Sequence, residues 1–570
     1  MKYMQKRWVE RHKADTKIVS AMATALKIDN ILATLLAQRG VYTFEQARDF
    51  FRPELPHLHD PFLMKDMDLA ISRIERAMGM KEHILIYGDY DVDGTTAVAV
   101  LCSFLRRFYS HIGYYIPDRY KEGYGISTQG IDYAEANNFT LIIALDCGVK
   151  SVDKVDYAQR KGIDFIIGDH HTPGDELPKA VAVLDPKRND CAYPYKELSG
   201  CGIAFKIIQA LAKTNQLAEA EVYQYLDLVA VSIASDIVPI NGENRVLAYY
   251  GLKKLNSNPC FGLQALIDLS SKSSDLTLTD VVFQIGPRIN AAGRIDDAKD
   301  AVKLLMAKSM EEAKTCCGLI DIQNMQRKDF DARITAEALE QIQGDEAQLM
   351  RKTTVVYQED WHKGVIGIVA SRLTEKYYRP TIVLTKSNGH VAGSARSVAG
   401  FDLYEALSAC SDLLEQFGGH KYAAGLTMKV ENVPALQARF EEVVAQHITP
   451  ELLEPEIAID AVIRLSEITP KFFRVLKQFA PFGPENNAPI FLAKNVYTVG
   501  EAVLVGMNHL KMTVTQERAP SFDCIGFGLG DFLPQINKGI PFDACFSIEE
   551  NIWREKRSVQ LNLKGIRLLG

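Results

Sequence analysis

The chain has 570 residues, 47% of them hydrophobic, and a net charge of −7. That is material for several hydrophobic cores, and no apolar run approaches the ~18 residues a bilayer span needs. The negative balance argues against a nucleic-acid binder working by bulk positive charge, while leaving room for a local basic channel. Ten cysteines are scattered without C-x-x-C spacing, and the adjacency of Cys316 and Cys317 suits neither a zinc site nor an ordinary disulfide, so reduced thiols are expected. Met1 to Lys13 is charged and lacks a signal-peptide core, which makes the cytoplasm the expected compartment.

From Met1 to about Asp66 the pattern is mixed, with helical spacing around Ile18 to Arg39 and a segment RPELPHLHDPF whose His57 and His59 read as surface or packing residues. Asp68 to Gly79 reads as a helix. The stretch ILIYGDYDVDGTT, Ile84 to Thr96, reads as an apolar strand, an acidic turn, and a helix starting near Thr95. Asp89, Asp91 and Asp93 crowd into that turn, which is either a metal site or an exposed acidic loop. Two later stretches favour the metal: Asp146 follows Leu141-Ile142-Ile143, and Asp169, His170 and His171 follow Phe165-Ile166-Ile167. In an open parallel sheet, residues just past the carboxyl ends of neighbouring strands meet along one edge, where such sheets bind ligands.

Between these strands, Arg119 and the turn Gly123-Tyr124-Gly125 could take a phosphate and stack a base, or simply pack over the sheet edge. VAVLD ends at Asp185, SGCGIAF reads as a turn before a helix, and YLDLVAVSIASDIVP is a helix delivering Asp236 at its end. Such alternation predicts a doubly wound α/β domain. Arg288 and Arg294 flank Ala291-Ala292-Gly293, small residues that let a ligand or another backbone come close; phosphate recognition and surface ion pairing are both open. Ser309 to Gly344 reads as one helix, capped by Ser309 and Glu312 and about 50 Å long, connecting two domains.

Thr353 to about Val444 reads as a second α/β unit. Its glycine-bearing stretches, GSARS with Ser394 and Arg396 and FGGHKYAAGL with His420, look like loops facing phosphate or nucleotide. No P-loop and no G-x-G-x-x-G after a strand supports ATP or NAD chemistry. From about Pro455, short strands between turns predict a small β-barrel, with an OB-fold the best guess. Counted from Glu454, this part holds 13 Lys+Arg and 13 Asp+Glu. Phe472 and Phe473, beside Arg474 and Lys477, read as core rather than as stacking residues.

Taken together, DYDVDG, ALDCG, GDHH and SIASD resemble the four motifs of the DHH phosphoesterase superfamily, with Asp169-His170-His171 as its namesake signature. PRINAAGR, WHKGVIGIVASRL, GSARS, FGGHKYAAG and PFGPENNAPIF resemble the bacterial RecJ branch, single-strand-specific 5′-to-3′ DNA exonucleases. The resemblance runs from about His57 to Gly570 and implies an α/β multidomain protein: an N-terminal segment (1–66), a DHH catalytic domain (67–305), a connecting helix (306–345), a DHHA1-type substrate-binding domain (346–452) and an OB-type nucleic-acid-binding domain (453–570).

It also implies two divalent ions, Mn²⁺ or Mg²⁺, roughly 4 Å apart and held by Asp89, Asp91, Asp93, Asp146, His170 and Asp236. Tyr87 stands where many superfamily members have a histidine, and Asp89 is expected to supply the missing ligand. Asp91, Asp93, Asp146, His170 and Asp236 form the implied catalytic set together with His171, which is placed at a phosphate or the leaving group, while Asp169 would orient the adjacent imidazole. Arg119, Tyr124, Arg288, Arg294, Ser394, Arg396 and His420 are the implied strand contacts, along a channel that admits one strand. The expected reaction is release of 5′-mononucleotides from the 5′ end of single-stranded DNA, in recombination and in mismatch and base-excision repair. A monomer, with a single-strand-binding protein and a helicase as partners, is the family-level expectation. Rivals are a DHH enzyme for short oligoribonucleotides, cyclic dinucleotides or pyrophosphate, and a non-catalytic DNA-binding scaffold.

Overall fold

Unbroken apolar runs such as Leu141–Leu145 lack the alternation of half-exposed strands and belong where helices cover both faces of a sheet. The structure, a computed structural model, describes residues 6–12, 14–270, 274–517, 519–553 and 556–569. They divide into two units, one of residues 45–325 with 478–488, the other of 1–44 with 326–477 and 489–570. The first strand, β1 (Arg7–Glu10), belongs to the latter.

The former unit is built on five parallel strands, β2 (His83–Gly88), β3 (Ile112–Tyr115), β4 (Phe139–Leu145), β5 (Asp164–Gly168) and β6 (Ala182–Leu184). Their order is β3-β2-β4-β5-β6. The chain leaves β2 to one side for β3 and returns to the other for β4, so the crevice between the ends of β2 and β4 is the topological switch point. Asp89 follows β2 and Asp146 follows β4, one on each side of it. The helix after β2, Val92–Leu105, is buried all round except at Ser103, as its continuous apolar sequence demands.

It begins three residues before the expected Thr95, because Asp91 caps it: the Gly94 N–H donates to Asp91 Oδ1 (3.0 Å). Asp93 therefore lies in its first turn. SGCGIAF is likewise no turn before a helix but the start of one, Gly200–Thr214, where Ser199 Oγ accepts from the Gly202 N–H (3.1 Å). The arginine-bearing stretch is helical too, a π turn at Val281–Ile285 running into Gly286–Ile295. The long helix is present as Met310–Gln343, with Ser309 Oγ accepting from the Glu312 N–H (3.2 Å), and the boundary between the two units falls within it.

In the other unit the order β10-β11-β9-β8-β7 joins β7 (Thr354–Tyr357), β8 (Thr381–Ser387), β9 (His390–Arg396), β10 (Gln416–His420) and β11 (Ala423–Met428), with only β7 and β8 parallel. GSARS is thus mostly strand β9 and FGGHKYAAGL a hairpin, not glycine-rich loops; their small residues form ladder pairs such as Gly393 with Leu426 and Gly418 with Gly425.

Then come β12 (Glu456–Ile459), β13 (Ala461–Val462), β14 (Phe491–Val505), β15 (His509–Thr515), β16 (Phe522–Gly526), β17 (Phe542–Trp553) and β18 (Lys556–Leu568). Because β14 pairs with β17 along its first half and with β15 along its second, the ladders run in a circuit β14-β15-β16-β18-β17-β14. Irregular register in β14 between Ala493 and Val496, and again between Val499 and Val503, supplies the bends such a circuit requires. Phe472 and Phe473 are buried, as the core reading has it. The early helical pattern resolves into two helices, Thr16–Leu26 and Asn30–Ala37, broken at Lys27 (φ +55°), and β1 pairs in parallel with β12.

His59 owes its place to a buried ion pair. Lys206 Nζ lies 2.7 Å from Glu243 Oε1, both side chains at most 1% exposed; Glu243 also accepts from the His59 N–H (2.8 Å) and from Tyr193 Oη (2.7 Å), and Lys206 Nζ donates to the His59 carbonyl (2.9 Å). His57 Nδ1 accepts from the Glu54 N–H (3.2 Å), so this histidine caps the short Leu55–His57 turn. Removing one partner strands the other charge in a dry site. Glu243→Ala should lower stability by about 3–5 kcal/mol in urea unfolding followed by circular dichroism.

Candidate metal centre

Four stretches of chain deliver acidic or imidazole groups to the carboxyl edge of the parallel sheet. His170 Nε2 lies 3.2 Å from Asp146 Oδ1, 3.5 Å from Asp236 Oδ2 and 3.7 Å from Asp93 Oδ2. Asp93, Asp146 and His170 are buried, and Asp236 closes the Leu226–Ser235 helix as its C-cap. Asp91 and Asp89 sit just before Asp93, with Asp89 only 1% exposed.

Asp93 owes its orientation to a second helix. Its Oδ2 accepts from the Gly200 N–H (2.6 Å), and its Oδ1 accepts from the Cys201 N–H (2.8 Å) and from Ser232 Oγ (2.6 Å). The first peptide N–H groups of a helix have no partner within it and carry its positive dipole end, so they hold a carboxylate without a cation. Asp146 sits at φ +61°, a turn that aspartate tolerates better than most residues, and it packs directly on Gly200. A Cβ at residue 200 would fall 2.6 Å from the Asp146 Cβ, so only glycine leaves that carboxylate where it is. Gly200, Ser199 and Ser232 were not singled out from the sequence; the only signal was a serine and two glycines ahead of an apolar helical run.

Asp169 plays a different part. Its Oδ2 accepts from the Val149 N–H (2.9 Å), and its Oδ1 from the His170 N–H (2.8 Å), the His171 N–H (3.1 Å) and His171 Nδ1 (2.7 Å). Burial alone would raise its pKa, but His171 and the backbone donors outweigh it and hold the group at about 2. The same bond pushes His171 up to about 9 against its own burial, and its Nε2 lies 3.1 Å from Tyr124 Oη. His171 is thus pushed toward its charged form with both ring nitrogens engaged, although with Asp146 and His170 it also makes one of two triads, among the described residues, whose ligand atoms lie within 4.8 Å of one another.

The other triad is Asp93, His170 and Asp236. Arg119 stacks over the Tyr90 ring (4.8 Å), and Tyr90 and Tyr124 meet edge to face (6.3 Å), so the loop residues form one aromatic and cationic group beside His171. The Arg294 carbonyl accepts from Tyr120 Oη, which ties the Gly286–Ile295 helix to that loop. A Cβ on Gly293 would stand 2.7 Å from the Tyr90 carbonyl, so the small residues do admit a backbone, that of the acidic turn itself. Arg288 lies deeper, its Nη1 donating to the Gln284 carbonyl (2.5 Å) and its Nε 3.5 Å from Asp321. In the other unit, Arg396 Nη1 donates to Ser394 Oγ (3.1 Å), both facing Gly367 in the first turn of the Ile366–Tyr377 helix, and His420 is exposed at the end of β10.

Burial first, and then the neighbouring carboxylates, hold Asp89, Asp91, Asp146 and Asp236 above the usual carboxylate range, Asp236 at about 8. Asp89 Oδ1 and both ring nitrogens of His170 are buried without a hydrogen-bond partner. Buried, unpartnered donor atoms among carboxylates that repel one another fit divalent cations, and a set of oxygens with one imidazole suits Mn²⁺ or Mg²⁺. Burial first, and then the nearby carboxylates, push the thiols of Cys147 and Cys201 well up, so both favour the neutral form at this edge. Asp185, just past β6, is buried and raised to about 7, another group of this edge that the sequence did not single out as functional.

Asp236 must lose its proton to bind a cation, so the affinity for Mn²⁺ should rise as pH increases from about 6 to 8 and level off above, with proton release seen by titration calorimetry in buffers of different ionisation heat. Without metal the sign reverses for stability. A folded-state pKa raised from 3.8 to about 8 stabilises below 3.8 and is lost as pH climbs through 8, which thermal melts in EDTA would register. Gly200→Ala should weaken Mn²⁺ binding about tenfold or more while leaving the circular dichroism spectrum unchanged.

Comparison with known proteins gives three family matches: "DHH family, N-terminal domain" over residues 83–233, "DHHA1 domain" over 351–446 and "RecJ OB domain" over 459–565. The chain is 38% identical over 563 residues to the single-stranded-DNA-specific exonuclease RecJ of Bacillus subtilis, covering 98% of this chain and 70% of that protein. It is 31% identical to the RecJ of Salmonella typhimurium, covering 99% of each. Among solved structures it is similar to RecJ in complex with Mn²⁺ from Thermus thermophilus, with a TM-score of 0.84 at 27% identity over 98% of this chain and 79% of that one. With the DHH, DHHA1 and OB matches in order along one chain and near-complete coverage of such relatives, the chain belongs to the RecJ family of the DHH phosphoesterases.

Proposed function

We propose that the chain hydrolyses single-stranded DNA from its 5′ end to 5′-mononucleotides, using Mn²⁺ or Mg²⁺. The observation that carries the chemistry is the group of three carboxylates around His170, whose ring nitrogens have no hydrogen-bond partner, next to a histidine pushed toward its charged form. The substrate follows from the named activity of the relatives. Asp89, Asp91, Asp93, Asp146, His170 and Asp236 would hold two ions. Bound there, divalent cations supply water activation and neutralise charge on the phosphodiester, as in-line displacement requires.

The protein's own groups do the rest. Asp169 keeps His171 protonated, and that imidazolium offers its charge to a phosphate oxygen or to the departing 3′-oxygen. Tyr124 and Tyr90, braced by Arg119, offer ring faces for a base, and Arg294 lies on the helix tied to the same loop. Arg288 would contribute positive charge from deeper in that helix. Ser394, Arg396 and His420 would take phosphates further along the strand. Work as a monomer in the cytoplasm, beside a single-strand-binding protein and a helicase that exposes strands, in recombination and in mismatch and base-excision repair, belongs to the same reading.

Release of acid-soluble nucleotide from 5′-labelled and 3′-labelled single strands, in Mn²⁺ or EDTA, tests it with the intact chain and with Asp146→Ala. Early release of the 5′ label, abolished by EDTA and by the substitution, is expected. Release beginning at the 3′ end would overturn the polarity, and tight binding without cleavage in Mn²⁺ would make the chain a scaffold.

A further inference from the structure

The residue after Asp236 breaks a local rule. Ile237 has φ +59°, the left-handed position that ends many helices and that glycine or asparagine normally fills. A β-branched side chain crowds its own backbone there, and Ile237 is the one β-branched residue with positive φ among the described residues. Burial does not compensate. Ile237 is 63% exposed, whereas Val238 and Ile240, which follow it, are 7% and 1% exposed.

The surroundings hold this turn firmly. The Asp236 N–H donates to the Ser232 carbonyl (2.9 Å), the Pro239 carbonyl accepts from Asn244 Nδ2 (3.1 Å) and Tyr195 Oη (3.3 Å), and the Ile240 N–H donates to the Pro484 carbonyl (2.8 Å). Strain that is over-determined in this way gathers at sites that bind ligands. Aiming the Asp236 carboxylate would not require it, since glycine holds the same backbone without the crowding. What remains unexplained by the backbone is the apolar side chain itself, kept in water one residue from a carboxylate 3.5 Å from His170.

Resting on the nuclease reading above, we propose that Ile237 is a substrate-contact residue, packing on the deoxyribose and base of the nucleotide whose phosphate is held at the acidic cluster. Those are the apolar surfaces of DNA, while its phosphates are served by charge. The contact adds affinity that salt does not screen, unlike the phosphate contacts.

The test compares the unsubstituted chain with Ile237→Ala, Ile237→Gly and Ile237→Val. Steady-state kinetics on oligodeoxythymidylate at two salt concentrations would be read beside Mn²⁺ calorimetry and thermal melts in EDTA. Ile237→Ala and Ile237→Gly should raise KM about tenfold by the same factor at both salt concentrations, with Mn²⁺ affinity unchanged. Ile237→Val should stay within about twofold because it keeps most of the apolar contact, and Ile237→Gly should melt at a higher temperature than the unsubstituted chain. Unchanged KM in both the Ala and Gly variants, or a loss confined to Mn²⁺ affinity, overturns the inference while leaving the nuclease reading in place. Absence of Mn²⁺-dependent cleavage by the unsubstituted chain overturns both.

Discussion

Mutual repulsion among crowded, largely enclosed carboxylates is the constraint on which the site depends. Asp89, Asp91, Asp146 and Asp236 are all held above their ordinary pKa, by burial first and then by one another, so bringing them together without cations is costly. The protein offsets part of that cost with backbone donors. Asp91 caps the Val92–Leu105 helix and Asp93 binds the first N–H groups of the Gly200–Thr214 helix, so two helix dipoles present their positive ends to the acidic turn. The remaining charge is left for metal ions to neutralise, and an acidic cluster balanced in this way is ready for dications without collapsing in their absence.

The DHH signature divides its labour by environment. Asp169 accepts four hydrogen bonds and is held low though buried; His170, with no hydrogen-bond partner on either ring nitrogen, lies against the carboxylates; His171, locked between Asp169 and Tyr124, is pushed toward its charged form. Three adjacent residues thus hold three electrostatic states, and the difference comes from which neighbours the backbone turn past β5 places around each. A chain of contacts continues from His171 through Tyr124 and Tyr90 to Arg119, linking the imidazole to the aromatic rings of the loop after β3 and of the acidic turn and to a guanidinium.

Much of this was legible in the chain. The acidic turn, Asp146 and the histidine pair each follow an apolar run, and parallel-sheet geometry is enough to bring strand ends together. Helix starts were read less well, because Asp91 and Ser199 act as caps only when the N–H groups behind them are already helical. Glycine usually marks turns, which makes the glycine-bearing stretches of the second unit look like loops, whereas in β9 and the β10–β11 hairpin the pairing of neighbouring strands overrides that preference.

The sequence by itself determined the strand-and-helix alternation around the acidic motifs, the acidic and histidine groups placed at strand ends, and the core role of Phe472 and Phe473, since all of these follow from local periodicity and apolar content. Only the tertiary structure decided what those groups become. That Gly200 must be glycine, that Asp93 is held by a helix more than a hundred residues later, that Gly293 admits the Tyr90 carbonyl and that Ile237 is both strained and exposed are contacts between segments distant in sequence. No local pattern encodes them, because each depends on the distance between two backbones that only packing sets.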